Sequence, residues 1–446
     1  MVEKIKSYIH KEIYDTSLEA KLLLLWLLEP YYMTVTRFVL HRFGIDTGAF
    51  REVTLLLVSL IPIIFLLANI KKFEKKQYMT SIALLVLVVV VLGLTVLVHP
   101  DYIRFFTKES YGITRILRPD APIYAFLFIS LCKKADEIAD VIEKYCILDF
   151  VYMAIVEIAP RVVRGYFEDV DYLGQIVQRP YSLSFGYSMV FPTIAFIYFF
   201  MKRKNWLYIV GAAVGVVTIF QYGNRGAWML IWLFLGVLFC ARIFHSKDTK
   251  MVKKVIGIAA CGVGVIFMTF TVPKIVGNAM MFVAEKTSDG KEIKISRTAE
   301  YAAEGNIADG SGRDEIWEAV VDSIKEGSIF GNGLYGDRPV VEPIHYVGYC
   351  HNIILEMVSN FGIFGVLILL KLILDAFRMI FLCKDKTYRE LYIMFFVISC
   401  QLFLSYSFWY VFEFWIMAGL AHNYIAYSGE IKTLGSVVKE KISKTK

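Results

Sequence analysis

The chain has 446 residues, 57% of them hydrophobic and 15% aromatic, with a mean hydropathy of +0.55, which excludes a soluble globular protein whose apolar residues are confined to one core. Its net charge of +7 is spread over many short connections, so it provides no footprint for nucleic acid. The seven Cys include no C-x-x-C pair, and neither a disulfide framework nor a zinc site is supported.

In chain order, the first twenty residues carry several charges and lack a small-residue cleavage site, so no removable signal peptide is expected. A weak apolar run at 22–40 is followed by strong ones at 53–70 and 78–98, then by compressed ones near 121–133 and 143–160. Further strong runs lie at 182–201, 205–222, 226–244, 252–272, 351–382 and 391–428. The last of these needs a break near Tyr406–Glu413. The expected fold is all-α, a polytopic membrane protein with about twelve transmembrane helices and a partly helical outer loop. Residues 1–272 would hold helices one to nine, 273–350 a large extracytoplasmic loop, 351–430 helices ten to twelve, and 431–446 a basic cytoplasmic tail.

Charge orients these spans. Lys clusters at Lys71–Lys76, Lys133–Lys134, Lys202–Lys204, Lys247–Lys254, Lys384–Arg389 and Lys432–Lys446 occupy every second connection, as cytoplasmic loops require. Both termini are then expected in the cytoplasm. The opposite connections carry Arg37, Arg42, Arg51, Arg104, Arg115, Arg118, Arg161, Arg164, Arg179 and Arg225. Arg grips phosphate bidentately, whereas Lys is a hydrated point charge. An Arg-rich outer face opposes the insertion bias, so it suggests either an anionic ligand or contact with lipid head groups.

The loop at 273–350 begins with a polar stretch expected to be mobile. An amphipathic helix follows over 311–327, with Ser311 as N-cap, Asp314 as its capping-box partner, and Ile316, Trp317, Val320, Val321 and Ile324 on one face. Gly331, Gly333 and Gly336 then permit tight turns before His345, Cys350 and His351.

Three residues stand out for chemistry. Arg313 lies in the first turn of the loop helix, where backbone N–H groups and the helix dipole also favour an anion; pairing with Asp314 or Glu315 is the alternative. Arg225 sits in QYGNRGAW at a membrane boundary, where snorkelling to head groups is the alternative. His351 opens the tenth span as a cap or as the best-suited general base on the outer face. Arg179, Arg161, Arg164, Arg338, His345 and Asn352 are further candidates for binding substrate, as is Glu342. Trp317, Tyr335, Tyr346 and Tyr349 are candidates for stacking on sugar rings.

Together these segments resemble the O-antigen ligase and polymerase family of bacterial membrane glycosyltransferases. The resemblance rests on Asn224-Arg225-Gly226-Ala227, on Gly312-Arg313 with Trp317, on Ile329-Phe330-Gly331-Asn332-Gly333, and on His351-Asn352 with Leu355, Gly362 and Gly365. It covers roughly residues 180–380 and implies a GT-C-like membrane glycosyltransferase of the plasma (inner) membrane, with its active site on the extracytoplasmic face. The implied donor is a glycan on undecaprenyl pyrophosphate, transferred with inversion and without metal or other cofactor to a sugar hydroxyl of an acceptor. By matching motif, Arg225 and Arg313 would hold the pyrophosphate and His351 would activate the acceptor. Implied partners are the lipid-linked donor, the glycan acceptor and membrane lipids, with a chain-length regulator and a flippase beside them.

A surface-polysaccharide polymerase is the expected activity, and a ligase acting on lipid A core or another surface acceptor is the alternative within the family. A lipid-linked oligosaccharide flippase is the rival of another class, but it predicts paired repeats and charged or broken helices at mid-membrane depth. A non-catalytic polysaccharide-binding partner would use the outer arginines without needing His351.

Overall fold

A computed structural model describes residues 16–45, 47–108, 112–164, 166–170, 176–179, 182–247, 249–287, 297–305, 312–345 and 348–427. The N-terminal residues to 15, the basic tail from 428, Ser311 and Tyr346 lie outside the described residues, and so does most of the polar part of the outer loop. The expectations placed on them are therefore not addressed.

The described chain is helical apart from one two-stranded antiparallel hairpin, Phe167–Val170 against Ile176–Arg179, which pairs Phe167 with Arg179. The sequence reading of an all-α chain missed this hairpin. Its strands are four residues long, too short for alternation to stand out beside the flanking apolar runs.

Among the described residues, five helices are long and apolar enough to cross a membrane: Lys75–Val98, Ser184–Arg203, Arg225–His245, Met251–Phe282 and Ile353–Leu382. The bent pair Ala49–Ser59 and Ile61–Ala68 makes a sixth if it is one span. The other apolar runs form shorter or interrupted helices. Leu18–Leu27 ends just before Pro30, Tyr124–Leu131 has eight residues, and Lys386–Ser399 gives way to 3₁₀ turns before Phe412–Tyr427. The break expected near Tyr406–Glu413 thus begins earlier, at Cys400.

The centre is formed by the shorter helices together with Ser184–Arg203. Trp26, Phe128, Phe191, Phe395, Phe412 and Trp415 interlock in one buried cluster, with Trp26 stacked on Phe128 at 5.8 Å and Phe191 against Phe412 at 5.8 Å. Met251–Phe282 lies at the periphery, with only 6% of its apolar window buried, whereas Ser184–Arg203 is 72% buried. Exposed valines and isoleucines on the outer helices are what a lipid environment demands, since apolar surface meets no water there.

The helix expected to end at 272 continues, through a π turn at Phe267–Thr271, into Val272–Thr287. Part of the stretch expected to be mobile also forms a helix, Arg297–Ala303, which packs against it where Gly277 meets the Ala299 carbonyl. The amphipathic loop helix runs Arg313–Glu326, with left-handed Gly312 at its N-cap and no side-chain cap, so the cap falls one residue after the Ser311 expected for it. Its stripe packs as expected except at Val321: Ile316 and Val320 form a small core with Val341 and Cys350, joined by Trp317, Ile324 and Leu355.

The glycine-rich turn locks onto the helix Ile353–Phe377, which departs from helical geometry at Gly362 (φ 54°, ψ −127°). Backbone groups freed there are taken up by the turn: Asn332 N–H donates to Ser359 O, Gly333 N–H to Asn360 O, and Ile363 N–H to Ile329 O. A methyl group at Gly362 would stand 2.1 Å from the Ile329 oxygen, and one at Gly331 would stand 2.5 Å from the Gly362 nitrogen. The two glycine motifs are thus halves of one backbone junction.

Candidate functional site

Asn224 builds the first wall. It is the N-cap of Arg225–His245, and its side chain accepts from Ala227 N–H at 2.7 Å. Arg225 therefore leaves from the first helical position, its guanidinium 4.9 Å from the ring centre of Tyr301. Gly226 lies against the helix Leu183–Arg203, where a methyl group would come within 2.4 Å of the Tyr187 hydroxyl oxygen. The Asn-Arg-Gly-Ala turn thereby sets Arg225 beside Tyr187.

Arg313 comes from the loop helix, and its nearest electrostatic neighbours are Tyr187, Arg225 and Tyr349. Burial first, then repulsion from Arg225, draws its guanidinium below its usual range, against the opposing pull of Tyr187 and Tyr349. No hydrogen bond or ion pair to it is found among the described residues. Asp314 and Glu315, the partners the alternative reading required, are exposed. A half-buried guanidinium with no counter-ion among the described residues, next to a second one, has the chemistry to take an anion.

His351 faces the same group from a third segment. Its ring is 4.3 Å from that of Tyr349 and 5.8 Å from that of His345. Burial, then the charges of Arg313, His345 and Arg338, lowers its pKa to about 3, so at neutral pH it is an uncharged imidazole. Its Nδ1 is buried and has no hydrogen-bond partner among the described residues. The residue holds a left-handed backbone, φ 54°, a conformation non-glycine residues seldom keep unless their surroundings impose it.

The surroundings do impose it. Arg338 Nη1 donates to Gly348 O at 3.0 Å, Cys350 N–H donates to Asp337 Oδ2 at 3.0 Å, and Trp317 Nε1 donates to Cys350 O at 3.0 Å. On the other side, Asn352 caps Ile353–Phe377 by accepting from Ile354 N–H at 2.9 Å and Leu355 N–H at 3.3 Å. His351 is held from both sides.

These contacts give several candidates surroundings other than an open outer face. Arg338 is fully buried, between the rings of Tyr335 and Tyr349 and next to Asp337 and Glu356. Burial alone would lower its pKa, but Asp337, Tyr410 and Glu356 raise it. Trp317 and Asn352 are occupied in the anchors just described. His345 lies in the cluster, its pKa lowered by burial and then by Arg313. Glu342 pairs with Arg104 at 3.4 Å and Lys108 at 3.2 Å.

Arg161 is 6% exposed and stacks over Tyr222 at 4.7 Å and Phe167 at 5.4 Å. Arg164 is exposed, and the Arg179 side chain lies outside the described residues. Arg225, Arg313, His345 and His351 are brought together.

Sequence reasoning missed Tyr187, Tyr301 and Glu356. Tyr301 was detectable as the one aromatic in its polar stretch. Glu356 was detectable as a carboxylate one turn into an apolar helix, where it accepts from the Ser407 hydroxyl.

Among the comparisons with known proteins, one family model matches: O-Antigen ligase (Wzy_C), over residues 210–370. No curated protein and no solved structure matches the chain. The matched stretch contains Arg225, Arg313, His345 and His351, and ends beyond Gly362 and Gly365. Over residues 210–370, a little over a third of its length, the chain is thus similar to the O-antigen ligase family.

Proposed function

We propose that this chain is a glycosyltransferase of the plasma membrane that moves a glycan from undecaprenyl pyrophosphate to a sugar hydroxyl, with about twelve crossings and its site on the extracytoplasmic face. The observation that carries the reading is Arg313, half-buried and without a counter-ion among the described residues, beside Arg225 and within the field that acts on His351.

In this reading the lipid pyrophosphate lies against Arg313 and Arg225, over Tyr187 and Tyr301. The acceptor hydroxyl presents its proton to His351 Nδ1. As the oxygen attacks the anomeric carbon, the carbon–oxygen bond to phosphate breaks on the opposite face and the configuration inverts. The proton ends on His351 and the electron pair on the departing lipid pyrophosphate, where the guanidiniums stabilise the growing charge. Bound pyrophosphate also offsets the field of Arg313, so His351 becomes a stronger base once the donor is in place. Arg338, Asn352 and Trp317 act by holding the 348–352 segment.

Polymer formation, with the next lipid-linked repeat as acceptor, is the activity we favour. The matched model is itself described as a ligase, which keeps transfer to lipid A core or another surface acceptor as the second reading. Reconstitution of the purified protein with undecaprenyl pyrophosphate-linked repeat units separates them. A ladder of products is expected, lost in Arg313→Ala, Arg225→Ala and His351→Ala variants that still insert. A single transfer to lipid A core identifies a ligase. Unchanged substrate on the opposite leaflet identifies a flippase and overturns the reading, as does a ladder from a folded His351→Ala protein.

A further inference from the structure

One turn deeper than Tyr187, the helix Leu183–Arg203 borders a cavity of about 190 Å³ outside the arginine cluster. Ser188 and Phe191 line it from this helix, Tyr31 from Glu29–Arg42, Tyr145 and Asp149 from Ala135–Met153, and Glu413 from Phe412–Tyr427. Tyr31 donates to Asp149 at 2.6 Å. Glu413 is only 8% exposed, and among the described residues its carboxylate has no hydrogen bond or ion pair with another side chain. Its own backbone N–H supplies one hydrogen bond, and the carboxyl borders the cavity, where an entering donor can use its remaining acceptor positions.

The lining selects its occupant. The cavity is lined by two acidic side chains and by no Lys or Arg, so this is not a second phosphate site. They also fall short of the oxygen donors that a divalent cation gathers, and no group of three or more His, Cys, Asp or Glu side chains lies close enough to hold a metal among the described residues. Aromatic walls with a few acceptors at one end suit a flat, hydroxyl-bearing ring. The cavity is also connected to the arginine cluster. Tyr187, four residues before Phe191, packs against Tyr406 at 5.5 Å, and Tyr406 lies within the field of Glu413. Four residues advance a helix by about 6 Å, roughly one sugar ring.

We propose that this cavity is a saccharide subsite, in which Asp149 and Glu413 accept hydrogen bonds from the hydroxyls of a sugar residue of the glycan substrate. The subsite rests on the glycosyl-transfer reading but makes a separate demand: it holds uncharged sugar, while the arginines hold phosphate.

Thermal stability of the purified full-length protein in lipid nanodiscs tests this with two probes: inorganic pyrophosphate, and the free oligosaccharide repeat unit released by mild acid from the organism's own lipid-linked precursor. Both probes should stabilise the wild type. In Glu413→Gln the oligosaccharide concentration for half-maximal stabilisation should rise about tenfold, the loss of one hydrogen bond to a charged acceptor, with the pyrophosphate response intact. Ser188→Phe, which fills the cavity without removing a charge, should do the same. Arg313→Ala should lose the pyrophosphate response and keep that to oligosaccharide. An oligosaccharide response that survives Ser188→Phe and Glu413→Gln, or is absent from the wild type, overturns the subsite. Joint loss of both responses in the cavity variants overturns its separateness from the arginine site. A wild type indifferent to pyrophosphate counts instead against the glycosyl-transfer reading.

Discussion

Between pH 6.5 and 3 an unfolded chain binds a proton at position 351 that the folded chain refuses, because burial and the charges of Arg313, His345 and Arg338 hold the imidazole neutral down to about 3. The unfolded state therefore carries more protons throughout that window, so stability rises with pH across it and falls as the medium is acidified. His345, lowered in the same direction, adds to the slope. The melting temperature in nanodiscs should drop between pH 7 and 5, and His351→Ala should flatten part of that slope. Arg313→Gln removes the largest like charge on the ring, so His351 should titrate closer to 6.5, as nitrogen-15 chemical shifts of labelled histidine would show. Arg338 belongs to the same scale. Its full burial beside Asp337 and Glu356 means that Arg338→Met leaves two carboxylates without their cation, a loss of about 3–5 kcal/mol. A chemical denaturation curve that shifts by under 1 kcal/mol would show that the network does not hold the His351 segment. Residue type and boundary position singled out His351, Arg313 and Arg225 as candidates, but the same reading gave Arg338 the role of an outer-face binder. A charged residue just ahead of Pro339 looks exposed when read along the chain, and only the fold brings Glu356 to it.

At the scale of elements, the amphipathic stripe of the loop helix was legible because its period of about 3.6 residues is a property of consecutive residues. The junction between Ile329–Gly333 and the helix Ile353–Phe377 was not, because its hydrogen bonds join segments about thirty residues apart, beyond the reach of helical periodicity. The glycines read as turn-formers are that, with positive φ at Gly331 and Gly333, yet their closer constraint is the backbone of Gly362. Gly362→Ala would put a methyl group 2.1 Å from the Ile329 oxygen in a left-handed conformation and should open the junction. Gly305→Ala also meets a positive φ but has open space around it. Limited proteolysis should therefore cut the outer loop of the Gly362→Ala protein much faster than that of Gly305→Ala. Equal rates would show that the junction does not fasten the loop. Because His351 lies at the top of the same helix, activity should fall with loop integrity.

For the whole molecule, hydropathy detected the helices that face lipid better than those that form the centre. The strongest apolar windows, Lys75–Val98 and Met251–Phe282, bury 17% and 6% of their residues, while the packed centre is built from Ser184–Arg203 and from shorter helices that carry Asp149, Glu390 and Glu413. Burial against protein lets a helix be short, broken and partly charged, and this is why a count by apolar length stops at five or six. The charge pattern supplies what length does not. Lys202 pairs with Asp136, Arg203 with Asp140 and Glu143, Lys133 with Glu74, and Arg242 with Glu390, all in or within about three helical turns of the connections that the positive-inside rule assigns to the cytoplasm. If these ends share one face, the loop helix and His351 lie on the other, with the outer arginines. Single cysteines introduced into a cysteine-free background test this directly. Glu326→Cys, at the exposed end of the loop helix, should react with a membrane-impermeant maleimide added outside intact cells. Lys250→Cys should react only after the membrane is permeabilised. Protection of Glu326→Cys, together with outside labelling of Lys250→Cys, would turn the molecule over. The proposed pyrophosphate site would then face the cytoplasm, and an acceptor assembled beyond the membrane could not reach it.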